Sequence, residues 1–370
     1  MKEVISTMKN KKLHRAKVIK NDEFYTQYAD IEHEMNAYLD HNPDVFRGKI
    51  ILLPCDDPEW SNFTKYFAQN FERFGIQKLI STSYAANSKP EEIPYQPTLF
   101  EANSSMFDER KTRKRGKIFT LSKDVNNDKK VDINDLEWHY LEGDGDFRSD
   151  EVKKLRDEAD IIITNPPFSL FREFLVWVLD SHKQFAIIAN KNCVTYKEVF
   201  PLIMTNNIWS GKEEWAGGMW FRTTDNASNY DEIIDNQKFK NVPSIWITNI
   251  DHGRRHKPLS LMTMEDNRRY SKHKKHLYWK DAYLKYDNYD VIEVPFTDSI
   301  PKDYRGVMGV PISFLDKYNP DQFTIIGMAE DNGKGYSGKE SKWDGKNPHC
   351  IVNGVKKFKR IFIKAKESDK

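Results

Sequence analysis

Asp160-Ile161-Ile162-Ile163-Thr164-Asn165-Pro166-Pro167-Phe168 is the stretch on which the fold turns. Three successive β-branched apolar residues between polar neighbours read as a short strand buried on both faces. Two prolines then remove backbone N–H donors and fix their own φ, so the strand must stop and turn stiffly. From Phe171 to Leu179 apolar residues return at helical spacing. The unit is strand, rigid polar corner, helix.

The same grammar extends in both directions. Ile50-Ile51-Leu52-Leu53 stops at Pro54-Cys55-Asp56-Asp57-Pro58, and Phe63, Phe67, Phe71 and Phe74 then recur at helical spacing up to Gly75. Lys78-Leu79-Ile80 and Phe185-Ala186-Ile187-Ile188-Ala189 read as further buried strands. Alternation of short apolar strands with helices predicts an α/β fold, a mostly parallel, doubly wound sheet with helices on both faces. Ligands of such sheets bind beyond the carboxyl ends of the strands, so Pro54–Pro58 and Asn165–Phe168 are expected to face one crevice.

A chain of 370 residues exceeds what one core usually organises, which predicts two lobes. Residues 1–20, with Lys9, Lys11, Lys12, Arg15 and Lys17, form a polar basic stretch expected to be a flexible arm. The main α/β domain is expected over 21–250, interrupted at about 90–142 by a β-rich insertion carrying Arg110, Lys111, Arg113, Lys114 and Arg115. A smaller C-terminal region is expected over 251–370, where basic residues cluster among Tyr270, Tyr278 and Trp279.

Charge and cysteines exclude several classes. The 58 Lys and Arg nearly balance 56 Asp and Glu, so any polyanion surface must arise from local segregation rather than net charge. Cys55, Cys193 and Cys350 are widely spaced and odd in number, which argues against a disulfide framework and a zinc cluster and fits a reducing cytosol. No run approaches the roughly 18 apolar residues of a membrane span, and a soluble, cytoplasmic protein without a resident metal is expected.

The corner carries the chemistry. An aromatic amine is a weak nucleophile because its lone pair is delocalised into the ring. Accepting hydrogen bonds from both of its N–H groups draws the nitrogen toward tetrahedral geometry and frees that pair. The Asn165 side-chain oxygen and the Pro166 carbonyl offer two such acceptors, Pro167 stiffens them, and Phe168 offers a ring for the base to stack on. Attack on a sulfonium methyl then needs positioning rather than a general base.

The chain resembles the EcoRI-type adenine-specific (N6) DNA methyltransferases. The resemblance rests on Asn21-Asp22-Glu23-Phe24-Tyr25-Thr26-Gln27-Tyr28, Pro54-Cys55-Asp56-Asp57 with Ser61-Asn62-Phe63, Gly143-Asp144-Gly145-Asp146-Phe147-Arg148-Ser149, and Thr164 through Glu173. Further matches lie at Asn190-Lys191-Asn192, Thr195–Glu198, Lys285–Asp290 and Gly306–Pro311. It implies a Rossmann-like sheet that uses S-adenosyl-L-methionine, a C-terminal target-recognition region, and methylation of a flipped adenine in double-stranded DNA. A restriction-modification or orphan setting is implied too, with any cognate restriction endonuclease acting independently. The implied cofactor set is Phe24, Tyr25, Thr26, Cys55, Asp56, Asp57, Asp144, Asp146, Phe147 and Asn165. Within it, Asp56 or Asp57 is expected to meet the cofactor's ammonium and Asp146 its adenine amino group. The chain departs from the broad methylase pattern in having no Gly-x-Gly after the first strand. It also has Ser81-Thr82-Ser83 where an acidic residue usually holds the ribose.

Three other signals bear on function. Arg254, Arg255, Lys257, Arg268, Arg269, Lys272, Lys274 and Lys275 are expected to neutralise DNA phosphates, some Arg reading guanine edges. Asp124 to Asp135 has the oxygen spacing of a calcium loop, but Lys129 occupies the position where a glycine permits the sharp turn; an Asn/Asp-rich hairpin turn explains it more simply. Gly217-Gly218-Met219-Trp220-Phe221 reads equally as a loop that closes on a flipped base or as a core strand after a glycine turn. The competing functions are a same-fold methyltransferase of RNA or a protein glutamine amide, and a catalytically inactive DNA-binding specificity subunit.

Overall fold

The computed structural model describes residues 25–57, 61–85, 104–223, 228–273, 275, 278–279, 282–329 and 349–366. Phe24, Lys274, the expected arm at 1–20 and residues 90–103 lie outside the described residues. The chain divides into two compact units. One holds the described residues to Asn190 together with Ala216–Asp251, the other Lys191–Trp215 together with the described residues from His252 on.

In the first unit the elements are β1 (Tyr25–Thr26), α1 (Tyr28–His41), β2 (Ile50–Leu53), α2 (Asn62–Gln69), β3 (Lys78–Ser83), β4 (Lys117–Leu121), β5 (Glu137–Tyr140), α3 (Asp150–Glu158), β6 (Ile161–Thr164), α4 (Phe171–Leu179), β7 (Gln184–Asn190), β8 (Met219–Arg222), β9 (Glu232–Ile234), β10 (Gln237–Val242) and β11 (Ser244–Thr248). The main sheet crosses this unit in the order β5-β4-β3-β2-β6-β7-β11. β3, β2, β6 and β7 are mutually parallel. β4 and β5 on one side and β11 on the other run antiparallel to their neighbours.

This arrangement corrects one expectation. The stretch expected to interrupt the sheet extends it, because β4 pairs with β3 from Leu79↔Leu121 to Ser83↔Lys117 and β5 pairs with β4. Its Ile118-Phe119 and Trp138 bury apolar surface that no isolated excursion would cover.

The parallel strands are buried on both faces. Ile51, Leu53, Ile161, Ile163 and Ile188 join one core with Phe63, Phe67 and Trp246, while Leu52, Ile162 and Ile187, pointing the other way, are also fully buried. Backbone donors and acceptors there are used up by the ladder, so polar side chains can act only where strands end. α2 begins where Ser61 accepts a hydrogen bond from the Phe63 N–H, an N-cap that satisfies an otherwise orphaned donor. α3 begins likewise at Ser149, which accepts from Val152. Phe63, Tyr66 and Phe67 then bury their side chains, each contributing about 1.5–3 kcal/mol.

A second sheet, β1-β8-β10-β9, is wholly antiparallel. Met219–Arg222 is therefore a strand and not a closing loop. Gly217 and Gly218 precede it at φ of 81° and 72°, and a Cβ on Gly218 would fall 2.7 Å from the Val242 carbonyl.

The second unit contains α5 (Met264–Tyr270), β12 (Ile292–Glu293), β13 (Met308–Pro311), β14 (Phe323–Met328) and β15 (Arg360–Ala365), with a sheet ordered β12-β13-β15-β14. Beneath it Arg360 donates to both carboxylate oxygens of Glu293, at 2.7 and 3.1 Å, and Tyr286 donates its hydroxyl to the same carboxylate. Glu293 is 2% exposed. Among the described residues no helix is long and apolar enough to cross a membrane.

Removing one member of a buried ion pair leaves an uncompensated charge. Arg360→Met should lower stability to urea by about 3–5 kcal/mol, and adding Glu293→Gln should recover most of the loss. Recovery is checked by comparing the denaturation midpoints of the single and double variants.

Candidate active site

β6 ends at Thr164, which is fully buried, and the chain turns through Asn165-Pro166-Pro167 into a single 3₁₀ turn at Phe168–Leu170 before α4. Pro166 is buried, while Asn165, Pro167 and Phe168 are half-buried. Phe168 meets Phe221 of β8 edge-on, with centroids 6.2 Å apart and planes at 85°. This geometry fixes the tilt of the Phe168 ring.

Beside this corner lies the turn after β2. Cys55 sits at φ 66°, the left-handed conformation that a glycine usually supplies. Asp56 points inward and is only 5% exposed. Ser61 donates to its Oδ1 at 2.7 Å, and the Thr164 hydroxyl lies 2.8 Å from its Oδ2 and 2.6 Å from the Pro54 carbonyl. Ser81 donates to the Asp56 backbone carbonyl, and Thr64 donates to Ser81 at 3.0 Å. Burial pushes the Asp56 carboxyl up to about 7, against hydrogen bonds from Ser61 and Thr164 that lower it. Of the two carboxylates expected to offer a partner to a cofactor ammonium, Asp56 has its carboxyl taken by protein hydroxyls. Asp57, half-buried, is the carboxylate of the pair outside that cluster.

β1 closes the group. Its Thr26 carbonyl accepts from the Asn62 side chain at 2.8 Å, and Thr26 pairs in register with Phe221. The contacts thus form a ring: Thr164 to Asp56, Asp56 to Ser61, Asn62 to Thr26, Thr26 to Phe221, and Phe221 to Phe168. On this ring the Thr26 hydroxyl is buried and makes no hydrogen bond among the described residues. Such a group is costly unless something else occupies it.

The Gly143–Ser149 segment packs on the end of β3. Asp144 accepts from the Tyr84 hydroxyl at 3.2 Å, and its carbonyl accepts from the Ala85 N–H at 2.7 Å. Gly145, at φ 84°, is required because a Cβ would come within 2.3 Å of the Ser83 carbonyl. Asp146 is clamped by Arg148 at 2.6 and 2.9 Å, and that guanidinium holds its carboxyl below the usual carboxylate range. Arg148 also reaches Glu173 of α4 at 2.8 Å. Phe147, a member of the implied cofactor set, is 3% exposed and packed edge-on against Phe174 and Trp177 in the core.

Residues that sequence reasoning left without a role are Ser61, Ser81, Tyr84 and Thr164. Their signal was present as hydroxyls at a helix N-cap, in and just after β3, and at the end of β6. Ser81-Thr82-Ser83, read only as lacking an acidic residue, is a buried hydroxyl cluster. The half-exposed Tyr84 follows directly.

In the second unit two of the expected phosphate contacts are turned inward. Arg254 donates to the Lys212 carbonyl and to Asp316, both at 2.7 Å. Arg255 is 8% exposed, donates to Asn206 and stacks its guanidinium 3.5 Å over Trp209. Arg254 and Arg255 thus direct their guanidinium groups at protein carbonyls, a carboxylate and an indole face. Lys257, Arg268, Arg269, Lys272 and Lys275 are exposed. Of these, Arg268 and Arg269 pair with Glu265, and Lys272 pairs with Asp298. In the first unit, the carboxylates of Asp124 and Asp135 in the calcium-like loop accept from backbone N–H groups of Asn127, Lys129, Val125 and Asn126. That is the pattern of Asn/Asp turns.

Residues 12–366 match the family described as adenine-specific methyltransferase EcoRI. The chain is 40% identical to the type II methyltransferase M.EcoRI of Escherichia coli over 98% of both chains. It is 32% identical to M.MpnI of Mycoplasma pneumoniae, covering 85% of this chain and 84% of the relative. Identity to M.MgeORF184P of Mycoplasma genitalium is 30%, over 96% and 98%. No solved structure matches. A rigid Asn-Pro-Pro-Phe corner within a family match spanning nearly the whole chain leads to one conclusion: the chain belongs to the EcoRI family of adenine-specific methyltransferases and is a DNA adenine methyltransferase of the restriction-modification type.

Proposed function

We propose that the enzyme moves the methyl group of S-adenosylmethionine to the N6 amino group of an adenine turned out of duplex DNA, on a Rossmann-like sheet. The observation that carries this reading is the ring of contacts from Thr164 through Asp56, Asn62 and Thr26 to Phe221 and Phe168. It gathers the corner, the β2 turn and β1 at the carboxyl ends of parallel strands, where ligands of such sheets bind.

The buried Thr26 hydroxyl supports a cofactor here, since it offers a hydrogen bond that the described protein does not use. Tyr25 and Thr26, with Phe24 before them, and Asp57 would hold the methionine end, and the Cys55 turn brings the backbone close. Tyr84 and Asp144 would hold the adenosine end, with Asp146 fixed by Arg148 beside them. Bound there, the cofactor supplies an electrophilic methyl on a sulfonium centre. Asn165 Oδ1 and the Pro166 carbonyl accept the two amino protons of the base and hold its nitrogen in line. Phe168 stacks on the base, its tilt kept by Phe221. The corner is set before substrate arrives, so positioning costs little at the reacting step. Reaching the amino group requires the adenine to leave the stack.

The C-terminal region from about residue 251 serves target recognition, with Lys257, Lys272 and Lys275, and Lys274 between them, on phosphates. A cognate endonuclease would act independently on the same site in the cytoplasm.

Asn165→Ala should lower single-turnover methyl transfer to duplex DNA by about 10²–10³-fold, while DNA affinity at fixed salt stays near wild type. Labelled-methyl assays with duplex DNA, RNA and protein as acceptors test the substrate; label in RNA or protein alone would sink the reading. Replacing Lys257, Lys272 and Lys275 together with Ala should flatten the plot of log affinity against log salt by about 0.9 for each phosphate that is no longer neutralised. Arg254→Ala should leave that slope unchanged and lower thermal stability instead.

A further inference from the structure

Counting protons around Asp56 gives a result that its sequence position does not. Every hydroxyl near it has one hydrogen to give. Thr64 gives its own to Ser81, and Ser81 to the Asp56 carbonyl. Ser61 gives its proton to Asp56 Oδ1 while its lone pair accepts from the Phe63 N–H. Among the described residues, the Thr164 hydroxyl also bonds Asp56, and it lies within hydrogen-bond distance of two acceptors, 2.6 Å from the Pro54 carbonyl and 2.8 Å from Asp56 Oδ2. One proton cannot serve both. If Asp56 were ionised, one of these buried oxygen pairs would face each other without a hydrogen between them.

We infer that Asp56 is a neutral carboxylic acid in the active form of the enzyme, and that its proton positions the catalytic corner. The chain of donation runs from the Asp56 Oδ2 hydrogen to Thr164 Oγ1, and from Thr164 to the Pro54 carbonyl. It locks the residue immediately before Asn165 to the end of β2. Asp56 acts through Thr164 and touches neither substrate nor cofactor, so it is a positioning residue. The inference rests on the reading of Asn165 as the catalytic residue.

The surroundings agree with a neutral acid. Among the described residues, α2 with its N-cap contributes Ser61 and Thr64, β3 contributes Ser81, and β6 contributes Thr164, all without charge. The turn itself contributes the Cys55 thiol and Asp57, whose negative charge opposes a second one beside it. Burial works in the same direction, and together they place the titration at about 7. The sign follows: this carboxyl holds its proton more tightly folded than unfolded, so its contribution is present at low pH and lost as pH rises through about 7.

The test uses the full-length enzyme and separates a neutral from an ionised Asp56. Asp56→Asn presents an amide N–H where the acid presented O–H. It should recover most of the single-turnover rate lost in Asp56→Ala, and its rate should stay flat across the pH range in which wild type declines. KM for S-adenosylmethionine should remain near wild type in both variants. Infrared difference spectra between wild type and Asp56→Asn, which need no activity, should show a protonated-carboxyl stretch that disappears as pH is raised through about 7. An Asp56→Asn enzyme as slow as Asp56→Ala, a raised KM for the cofactor, or absence of that stretch at low pH would overturn the inference. Asn165→Ala run in parallel keeps the two readings apart. Full activity there removes the catalytic corner itself, whereas an inactive Asn165→Ala beside a failing Asp56→Asn removes only the role of Asp56.

Discussion

Thr164 stands at the point where a buried strand gives way to the Asn165-Pro166-Pro167 turn. Its backbone completes the last step of the β6 ladder and its side chain binds the turn that ends β2. Neither strand could hold its loop alone, because a loop beyond a sheet has no ladder to fix it. Tying two loops to each other through one hydroxyl converts two mobile ends into one rigid rim. Asn165 and Phe168 inherit their directions from that rim.

The sheet's burial explains why the rim is built from small hydroxyls and not from charges. With both faces of β2, β6 and β7 packed against apolar side chains, the strand ends lie in a medium that disfavours ions. Ser61, Ser81 and Thr164 satisfy one another and the backbone at low desolvation cost. Asp56, placed among them, is driven toward its neutral form. Asp146 and Arg148, nearer the surface, remain a charged pair, and they join the loop after β5 to α4. One polarity gradient thus runs from the sheet's edge outward.

The second unit follows the same logic with different groups. Glu293 and Arg360 are buried as a hydrogen-bonded pair, with Tyr286 completing the carboxylate's partners. Arg254 and Arg255 are spent on carbonyls, Asp316 and an indole face. A guanidinium with five donors can organise a loop from within. What reads as one basic cluster along the chain is two populations in space.

The amino-acid sequence by itself determined the strand-corner-helix unit at Ile161–Leu179 and the parallel strands of the first unit. Periodicity and proline act over a few residues, and so are legible in one dimension. It also carried the resemblance that the family match later made firm. Tertiary structure alone decided that Asp56 faces inward, that Phe147 is core, that the strands at Lys117–Leu121 and Glu137–Tyr140 extend the sheet, and that Arg254 and Arg255 turn toward protein partners. Each of these depends on a partner far along the chain: Thr164 for Asp56, Trp177 for Phe147, β3 for β4, Asp316 and Trp209 for the arginines. A side chain's role is set by which groups compete for it after folding, and that competition has no local signature in the sequence.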